Sequence, residues 1–114
     1  MKDDTARLQD ILEAVSRIEK YAKRGRDTFD RDELVQTWIL HHLQIIGEAA
    51  GKVSRALQAR HPEVPWREIV AMRNILAHDY FTVDLEEVWA AVVSDLAGLK
   101  INIESILREA GGTV

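Results

Sequence analysis

The fold is decided by residues 31–60, which read RDELVQTWILHHLQIIGEAAGKVSRALQAR. Asp30 followed by Glu33 resembles a capping box, and no Pro or turn cluster interrupts the chain before Pro62. We therefore predict one helix over residues 31–60, about 45 Å long. Its apolar residues form two lines, one of Leu34, Trp38, Ile45, Ala49 and Val53, the other of Val35, Ile39, Ile46, Ala50 and Leu57. One partner helix cannot cover both lines.

Small residues form a further surface in the middle of this stretch, at Gly47, Ala50, Gly51 and Ser54. Each glycine inside a helix costs about 1 kcal/mol relative to alanine. A close approach of a second helix would compensate for that loss. The approaching helix belongs either to the same protomer or to a second copy of the chain.

The remaining residues predict three more helices. Helix one covers about 5–24 and stops at Gly25, because apolar residues recur every three to four positions from Leu8 to Ala22. Pro65 suits the first turn of helix three, whose stripe contains Trp66, Ile69, Val70, Arg73, Leu76 and Ala77. Asp84 with Glu87 caps helix four, which runs to Gly111-Gly112.

Together these elements predict an all-α fold, an up-down bundle of four main helices in a single domain over residues 1–114. No alternation with period two indicates a strand. A monomer would leave much of the apolar surface of residues 31–60 exposed, so we expect a symmetric homodimer.

The charge is unevenly distributed along the chain. Its net value of −4 argues against a protein that coats nucleic acid nonspecifically, because such binding depends on many basic residues. Residues 1–16 carry 2 basic and 4 acidic residues, residues 17–73 carry 11 and 8, and residues 74–114 carry 2 and 7. The basic residues Lys20, Lys23, Arg24, Arg26, Lys52 and Arg55 either guide a polyanion or belong to solvated helix faces.

Several chemistries are disfavoured by composition. The chain has no Cys, which excludes disulfides and thiol nucleophiles and fits a reducing compartment. His41 and His42 are adjacent, so they point about 100° apart on a helix, and neither has an acid or His four residues on. We expect no metal and no cofactor. Without a signal region or a long apolar stretch, we expect a cytoplasmic protein with no membrane contact.

The residues with the most chemical potential lie in Arg73-Asn74-Ile75-Leu76-Ala77-His78-Asp79-Tyr80. Because Arg73 lies on the apolar stripe, its charge must be paired, lie at an interface or reach a cleft. On a straight helix His78 sits about 140° away from Arg73, whereas Tyr80 shares nearly the same azimuth. Either the helix distorts near Ala77, or Arg73 and His78 from two copies meet across a symmetric interface.

An Arg and a His without metal suit cleavage of RNA by its own 2′-hydroxyl. The His moves protons and the Arg stabilises the phosphorane. DNA lacks the 2′-hydroxyl and would not be cleaved. Two copies of His78 in a two-fold site would supply both base and acid. The alternative is that Arg73 caps the helix and that His78 lies at an interface where its hydrogen bonds are satisfied. Glu48 either pairs with Arg73 or His78 and so helps to bind or orient the substrate phosphate, or it occupies a solvated helix position.

Over nearly its whole length the chain resembles the HepT-like branch of the HEPN families, ribonuclease toxins paired with a small MntA-type nucleotidyltransferase antitoxin. The resemblance rests on Ile46-Gly47-Glu48-Ala49-Ala50, Pro65-Trp66-Arg67-Glu68-Ile69-Val70, Met72-Arg73-Asn74-Ile75-Leu76-Ala77-His78-Asp79-Tyr80 and Val88-Trp89. It implies that Arg73 and His78 form the family's Arg-x4-6-His motif in a cleft between two protomers. It also implies that Asn74 binds phosphate or orients the His, and that Tyr80 is the modifiable tyrosine.

The resemblance leads to a specific functional expectation. The chain would be the toxin of a type II or type VII-like toxin–antitoxin system, a metal-independent endoribonuclease acting on tRNA or mRNA. AMPylation of Tyr80 by the antitoxin would silence it, in a homodimer or a higher hetero-oligomer with that partner. The first alternative is a noncatalytic helical adaptor that binds nucleotide or RNA and regulates a nucleotidyltransferase. The second is a plain dimerisation module.

Overall fold

A computed structural model describes residues 3–79 and 82–110 of the chain. These residues are helical and contain no strand, which confirms the all-α prediction. The helices in this part of the chain are α1 (Asp4–Ala22), α2 (Arg26–Arg31), α3 (Glu33–Lys52), α4 (Arg55–Arg60), α5 (Trp66–His78), α6 (Leu85–Ser94) and α7 (Leu96–Glu109). None of them is long and apolar enough to cross a membrane.

The prediction of one continuous helix over residues 31–60 is wrong. The helix ends at Lys52, and Val53 is extended with φ −65° and ψ 140°. Ser54 then caps α4, its Oγ accepting from the Leu57 N–H at 3.2 Å. Asp4 of α1 holds the break in place, because its carboxylate accepts from both the N–H and the hydroxyl of Ser54 at 2.9 and 2.6 Å. The Gln58 side chain donates to the carbonyl of Val53 at 3.0 Å, so this carbonyl at the end of α3 has a hydrogen-bond partner.

The predicted capping box at Asp30 and Glu33 is also wrong. Asp30 lies inside the short helix α2, where it pairs with Arg26 at 3.0 Å. The cap of α3 is Asp32, whose carboxylate accepts from the N–H groups of Leu34 and Val35 at 3.0 and 3.4 Å. The sequence pattern did not predict α2, which starts after Gly25, a residue whose positive φ of 96° favours glycine.

The other boundaries agree better with prediction. Helix one and the start of helix three are confirmed within two residues by α1 and α5. Helix four is capped by Asp84 as predicted, since its side chain accepts from the Glu86 N–H at 2.9 Å. It is not continuous, however: Asp95 separates α6 from α7 with φ −111° and ψ −29°. The predicted stop at Gly111-Gly112 lies outside the described residues.

Helix α3 is the centre of the bundle. It packs against α1, α2 and α5, while α7 packs against α1 and α6. The apolar faces of these helices form one buried core whose fully buried side chains include Leu8, Ile11, Ile18, Phe29, Ile39, Ile103, Ile106 and Leu107. Of the two predicted apolar lines, Leu34 is 81% exposed, Trp38 and Ile45 are partly buried, and the other members are buried within one protomer.

The connection between α4 and α5 is fixed by His61. Its carbonyl accepts from Trp66 Nε1 at 2.9 Å, which anchors the first residue of α5. Its ring nitrogens lie 3.0 Å from a Glu63 carboxylate oxygen and 3.6 Å from Glu109 near the end of α7. A hydrogen bond from the backbone of Glu63 itself, together with His61, lowers the pKa of the Glu63 carboxyl. The start of α5 is thus tied to α7.

Candidate functional site: an arginine and a histidine at the end of α5

Arg73 lies where α5 crosses α3 most closely. Gly47 of α3 is buried beneath it, and a Cβ added to this glycine would overlap the Cβ of Arg73. The same added atom would lie 2.9 Å from the Arg73 Cγ and 3.1 Å from the Ile69 carbonyl oxygen. The close helix approach expected from the small residues therefore occurs within the protomer, and it positions Arg73.

The second glycine of this surface is less constrained. An added Cβ at Gly51 would meet only Val70 Cγ2, at 3.4 Å, which is close to ordinary van der Waals contact. Because Gly47 faces Arg73 and Gly51 faces Val70, the two helices run antiparallel. The C-terminal end of α5 therefore points toward the N-terminal half of α3.

The Arg73 guanidinium is partly exposed and contacts the residue beside it in sequence. Its Nη1 donates to Asn74 Oδ1 at 3.2 Å. Within residues 3–79 and 82–110 no carboxylate pairs with it. A guanidinium carries five N–H donors, so most of them remain available to an anion. Asn74 is exposed, and among the described residues its side chain forms a hydrogen bond with Arg73 and none with His78.

His78 is the last residue of α5 and is exposed. No side chain in the described residues forms a hydrogen bond or an ion pair with its imidazole. The helix is regular up to this point, since the Asp79 N–H donates to the Ile75 carbonyl at 2.9 Å. The distortion near Ala77 that would bring Arg73 and His78 together is absent, so the two side chains diverge by about 140°.

Glu48 is not part of this arrangement in the protomer. Its carboxylate pairs with Lys52 one turn further along α3, at 3.2 Å, and is about half exposed. It lines a groove between α1 and α3, together with Arg7, Arg17 and the buried His42. The solvated helix position is therefore the better description of Glu48 in one protomer, and a role in binding phosphate stays a prediction.

Tyr80 lies outside the described residues. Helix α5 ends at His78, and Asp79 leaves the helical conformation with φ −141° and ψ 45°. A shared azimuth of Tyr80 and Arg73 required α5 to extend as far as Tyr80, and α5 ends at His78. The assignment of Tyr80 as a modification site rests on the resemblance alone.

Comparison with known proteins identifies the family. A family model described as "Ribonuclease HepT-like" matches residues 11–106. The chain belongs to the HepT-like ribonuclease family. It is 37% identical to "Probable ribonuclease HepT" of Thermococcus cleftensis over 89% of this chain and 93% of the relative. No solved structure matches it.

Two further members of comparable length support the assignment. A protein of Methanocaldococcus jannaschii named "Putative RNase" is 32% identical over 92% of this chain and 97% of its own length. Another of that description, from Caldanaerobacter subterraneus, is 30% identical over 96% of this chain and 98% of its own. The HepT-like match spans Gly47, Arg73, Asn74 and His78, so the resemblance seen in the motifs is confirmed as family membership.

Proposed function

We propose that the protein is a metal-independent endoribonuclease whose active site is a two-fold cleft shared by two copies of the chain. The observation that carries the proposal is the pair of unengaged groups on α5, a guanidinium without a carboxylate and an imidazole without a hydrogen bond, both among the described residues. Arg73 binds and stabilises the scissile phosphate. His78 transfers protons, and Asn74 orients the guanidinium.

The geometry of α5 favours a shared site over one within a single chain. Arg73 and His78 point in different directions on a regular helix, so one chain does not direct both at one phosphate. A two-fold axis near the end of α5 would bring the His78 of one protomer toward the Arg73 of the other. Ile75, which lies between them in sequence, is 53% exposed and would be covered by the second copy.

The proposed reaction uses the RNA's own 2′-hydroxyl as nucleophile. One His78 removes the proton of this hydroxyl, and the 2′-oxygen attacks the adjacent phosphorus. The bond between phosphorus and the 5′-oxygen breaks, and the second His78, protonated at the start, donates its proton to that oxygen. Arg73 stabilises the negative charge on the non-bridging oxygens of the phosphorane. The products are a 2′,3′-cyclic phosphate and a 5′-hydroxyl, and DNA is not cleaved.

The decisive experiment is cleavage of total RNA by the purified protein in the presence of EDTA. We expect cleavage to proceed, because the proposed proton transfers and charge stabilisation come from His78 and Arg73. Analysis of the product ends should find 2′,3′-cyclic phosphate and 5′-hydroxyl groups. A 2′-deoxy substitution at the cleaved position should abolish cleavage of that bond.

Two outcomes would contradict the proposal in different ways. Cleavage that depends strictly on added metal would exclude the mechanism. Tight RNA or nucleotide binding without cleavage under any condition would instead support the noncatalytic adaptor, in which the Arg73 guanidinium binds phosphate only to regulate a partner.

In the cell we propose that this activity is the toxin of a type II or type VII-like toxin–antitoxin system, directed at tRNA or mRNA in the cytoplasm. The neutralising partner would be an MntA-type nucleotidyltransferase that AMPylates Tyr80. Family membership supports this role. Tyr80 lies two residues after His78 in sequence, so an AMP group there would place a phosphodiester near the groups that receive RNA.

Substitution of Tyr80 tests the proposed regulation. Incubation with the cognate nucleotidyltransferase, ATP and Mg²⁺ should add one or more AMP groups at Tyr80 and stop cleavage. Tyr80→Phe should cleave RNA at the wild-type rate and resist inactivation. Mass spectrometry locates the AMP. Inhibition that persists undiminished in Tyr80→Phe, or AMP found only on other residues, would show that the partner acts by covering the cleft.

A further inference from the structure

A cluster of aromatic rings lies between the end of α1 and the start of α3. Tyr21 and Trp38 meet edge to face, with ring centroids 5.2 Å apart and an interplanar angle of 62°. The Trp38 ring is in turn 4.4 Å from His42, and His42 is 5.1 Å from the exposed ring of His41. The four rings form a continuous row across the two helices.

Hydrogen bonds hold the inner part of this row. Trp38 Nε1 donates to the Arg17 carbonyl at 2.9 Å, which fixes the indole against α1. His42 is only 5% exposed, and its Nδ1 donates to the Trp38 carbonyl at 2.8 Å. Trp38 and His42 therefore form a rigid base, while His41 remains exposed on the outer side.

Cations lie directly beside these rings. The Arg24 guanidinium sits over the Tyr21 ring, 4.6 Å from its centroid, and the Lys20 ammonium lies 5.8 Å from the same centroid. In the part of the chain that the structure describes, neither cation pairs with a carboxylate, and neither does Lys23. Residues 17–31 contain six basic and three acidic residues, although the whole chain carries a net charge of −4.

A cavity of about 450 Å³ opens beside three of these rings, and Arg24 is the basic residue that lines it. We call it the aromatic pocket, and its lining residues are Tyr21, Arg24, Asp32, Leu34, Val35, Thr37, Trp38 and His41. The Asp32 carboxylate is engaged by the N–H groups at the start of α3, which it caps. Its volume lies within the range of small-molecule sites, which combine apolar walls with a few polar groups. Leu34 forms one wall and is 81% exposed, so an apolar side chain at the pocket remains open to a ligand.

We propose that the aromatic pocket binds an unpaired nucleobase of single-stranded RNA, with Arg24 and Lys20 holding an adjacent phosphate. A nucleotide joins a flat π face to an anion, and this pocket joins aromatic rings to the Arg24 guanidinium, with the Lys20 ammonium near the same Tyr21 ring. An acidic peptide would engage the cations but supply no group to stack. Base pairs in an RNA duplex are stacked and hidden, so the pocket selects single strands.

The inference rests on the proposed ribonuclease function and places the pocket near the same end of α3 as the end of α5. Because α3 and α5 are antiparallel and Gly47 faces Arg73, the level of His78 lies about 7 Å from that crossing toward the start of α3. By the same rise of 1.5 Å per residue, His41 lies about 9 Å and Trp38 about 14 Å along this direction. At about 100° per residue Trp38 is also turned about 180° from Gly47, which agrees with its packing against α1. A strand cleaved at His78 therefore reaches the aromatic pocket by passing around the start of α3, a path of several nucleotides.

Steady-state kinetics on two substrates test the pocket. Arg24→Ala and His41→Ala remove exposed side chains that form no hydrogen bond among the described residues. Each should raise KM for a longer single-stranded RNA at least about fivefold, the lower end of what a stacked base contributes, and leave kcat unchanged. Cleavage of a dinucleotide, which spans only the scissile bond, should be unaffected by either.

Arg60→Ala is the matched control, because Arg60 is an exposed arginine of α4 at the opposite end of α3. It removes the same charge and should leave KM for the longer RNA nearly unchanged. Arg24→Ala should also lower the slope of log affinity against log salt by about one, whereas His41→Ala should not. An equal rise in KM for Arg60→Ala would show nonspecific attraction and overturn the proposal. An equal effect of Arg24→Ala and His41→Ala on cleavage of the dinucleotide would also overturn it.

Photocrosslinking separates the failure of this inference from the failure of the ribonuclease function. The probe is a 4-thiouridine single-stranded RNA with 2′-deoxyribose at the cleaved position, so binding is read without cleavage. Crosslinks to Tyr21, Trp38 or His41 support the pocket even if the protein cleaves no RNA. Crosslinks confined to α5, or loss of the dimer in Arg24→Ala and His41→Ala, would overturn it, the latter by showing that the pocket contacts a second copy.

Discussion

Arg73→Ala and His78→Ala should each slow RNA cleavage at least about a hundredfold, the effect typical of removing a charge-stabilising group or a proton-transfer group. Initial rates on a defined RNA measure the change. The helix should stay folded in both variants. His78 is exposed and forms no side-chain hydrogen bond among the described residues, and the Arg73 guanidinium contacts only Asn74 there. Circular dichroism and light scattering should therefore match the wild-type protein.

A heterodimer of one wild-type and one His78→Ala protomer examines the shared site directly. If both copies of His78 act on one phosphate, the heterodimer loses either its base or its acid and should be nearly as slow as the double variant. If each chain contains its own site, the heterodimer should retain about half of the wild-type rate. Near-wild-type rates in either single variant would remove that residue from the mechanism, and unfolding of both would support a structural role instead.

The local signals in the sequence were sufficient for some of the helices and not for others. Apolar periodicity located α1, and Pro65 located the start of α5. The same periodicity concealed the break after Lys52, because Val53 and Leu57 are both buried and continue the apolar pattern beyond it. What ends the helix is the carboxylate of Asp4, about fifty residues away in sequence. A contact of this range leaves no mark on local spacing.

Capping signals were ambiguous for a related reason. Asp30 and Asp32 are equally good candidates for a cap by residue type. The choice between them depends on Arg26, which pairs with Asp30 inside α2 and leaves Asp32 to cap α3. Because α2 is only six residues long, its own pattern was too short to recognise.

The candidate site was predictable in its parts but not in its assembly. The spacing of Arg73 and His78 predicted that their side chains point in different directions on one helix. The regular geometry of α5 agrees with this prediction. Spacing does not reveal which helix packs beneath Arg73, and the small-residue surface left open whether the partner was internal. The structure identifies Gly47 as that contact. The aromatic row was missed because Tyr21, Trp38 and His41 come together only when α1 and α3 pack.

Replacing Gly47 with Ala should therefore lower both the stability of the protein and its cleavage rate, although Gly47 contacts no reacting atom. The added methyl group would overlap the Cβ of Arg73, which lies at the root of its side chain and cannot rotate away. The two helices must separate, so we expect a loss of about 1–3 kcal/mol in the free energy of unfolding despite the better helix propensity of alanine. A displacement of Arg73 by about 1 Å should lower cleavage about a hundredfold. Urea unfolding and initial rates measure the two effects.

The matched control is Gly98→Ala in α7, where an added Cβ has nothing within 4 Å. Since no contact opposes it, this substitution should stabilise the protein by up to about 1 kcal/mol, the gain expected from helix propensity, and leave cleavage unchanged. Gly51→Ala should fall between the two, because Val70 lies at 3.4 Å and needs to yield only slightly. The test is whether the harm to stability and cleavage decreases in the order Gly47→Ala, Gly51→Ala, Gly98→Ala. If all three alanines were equally tolerated, the close crossing of α3 and α5 would not be what positions Arg73, and its orientation would have to come from the second protomer.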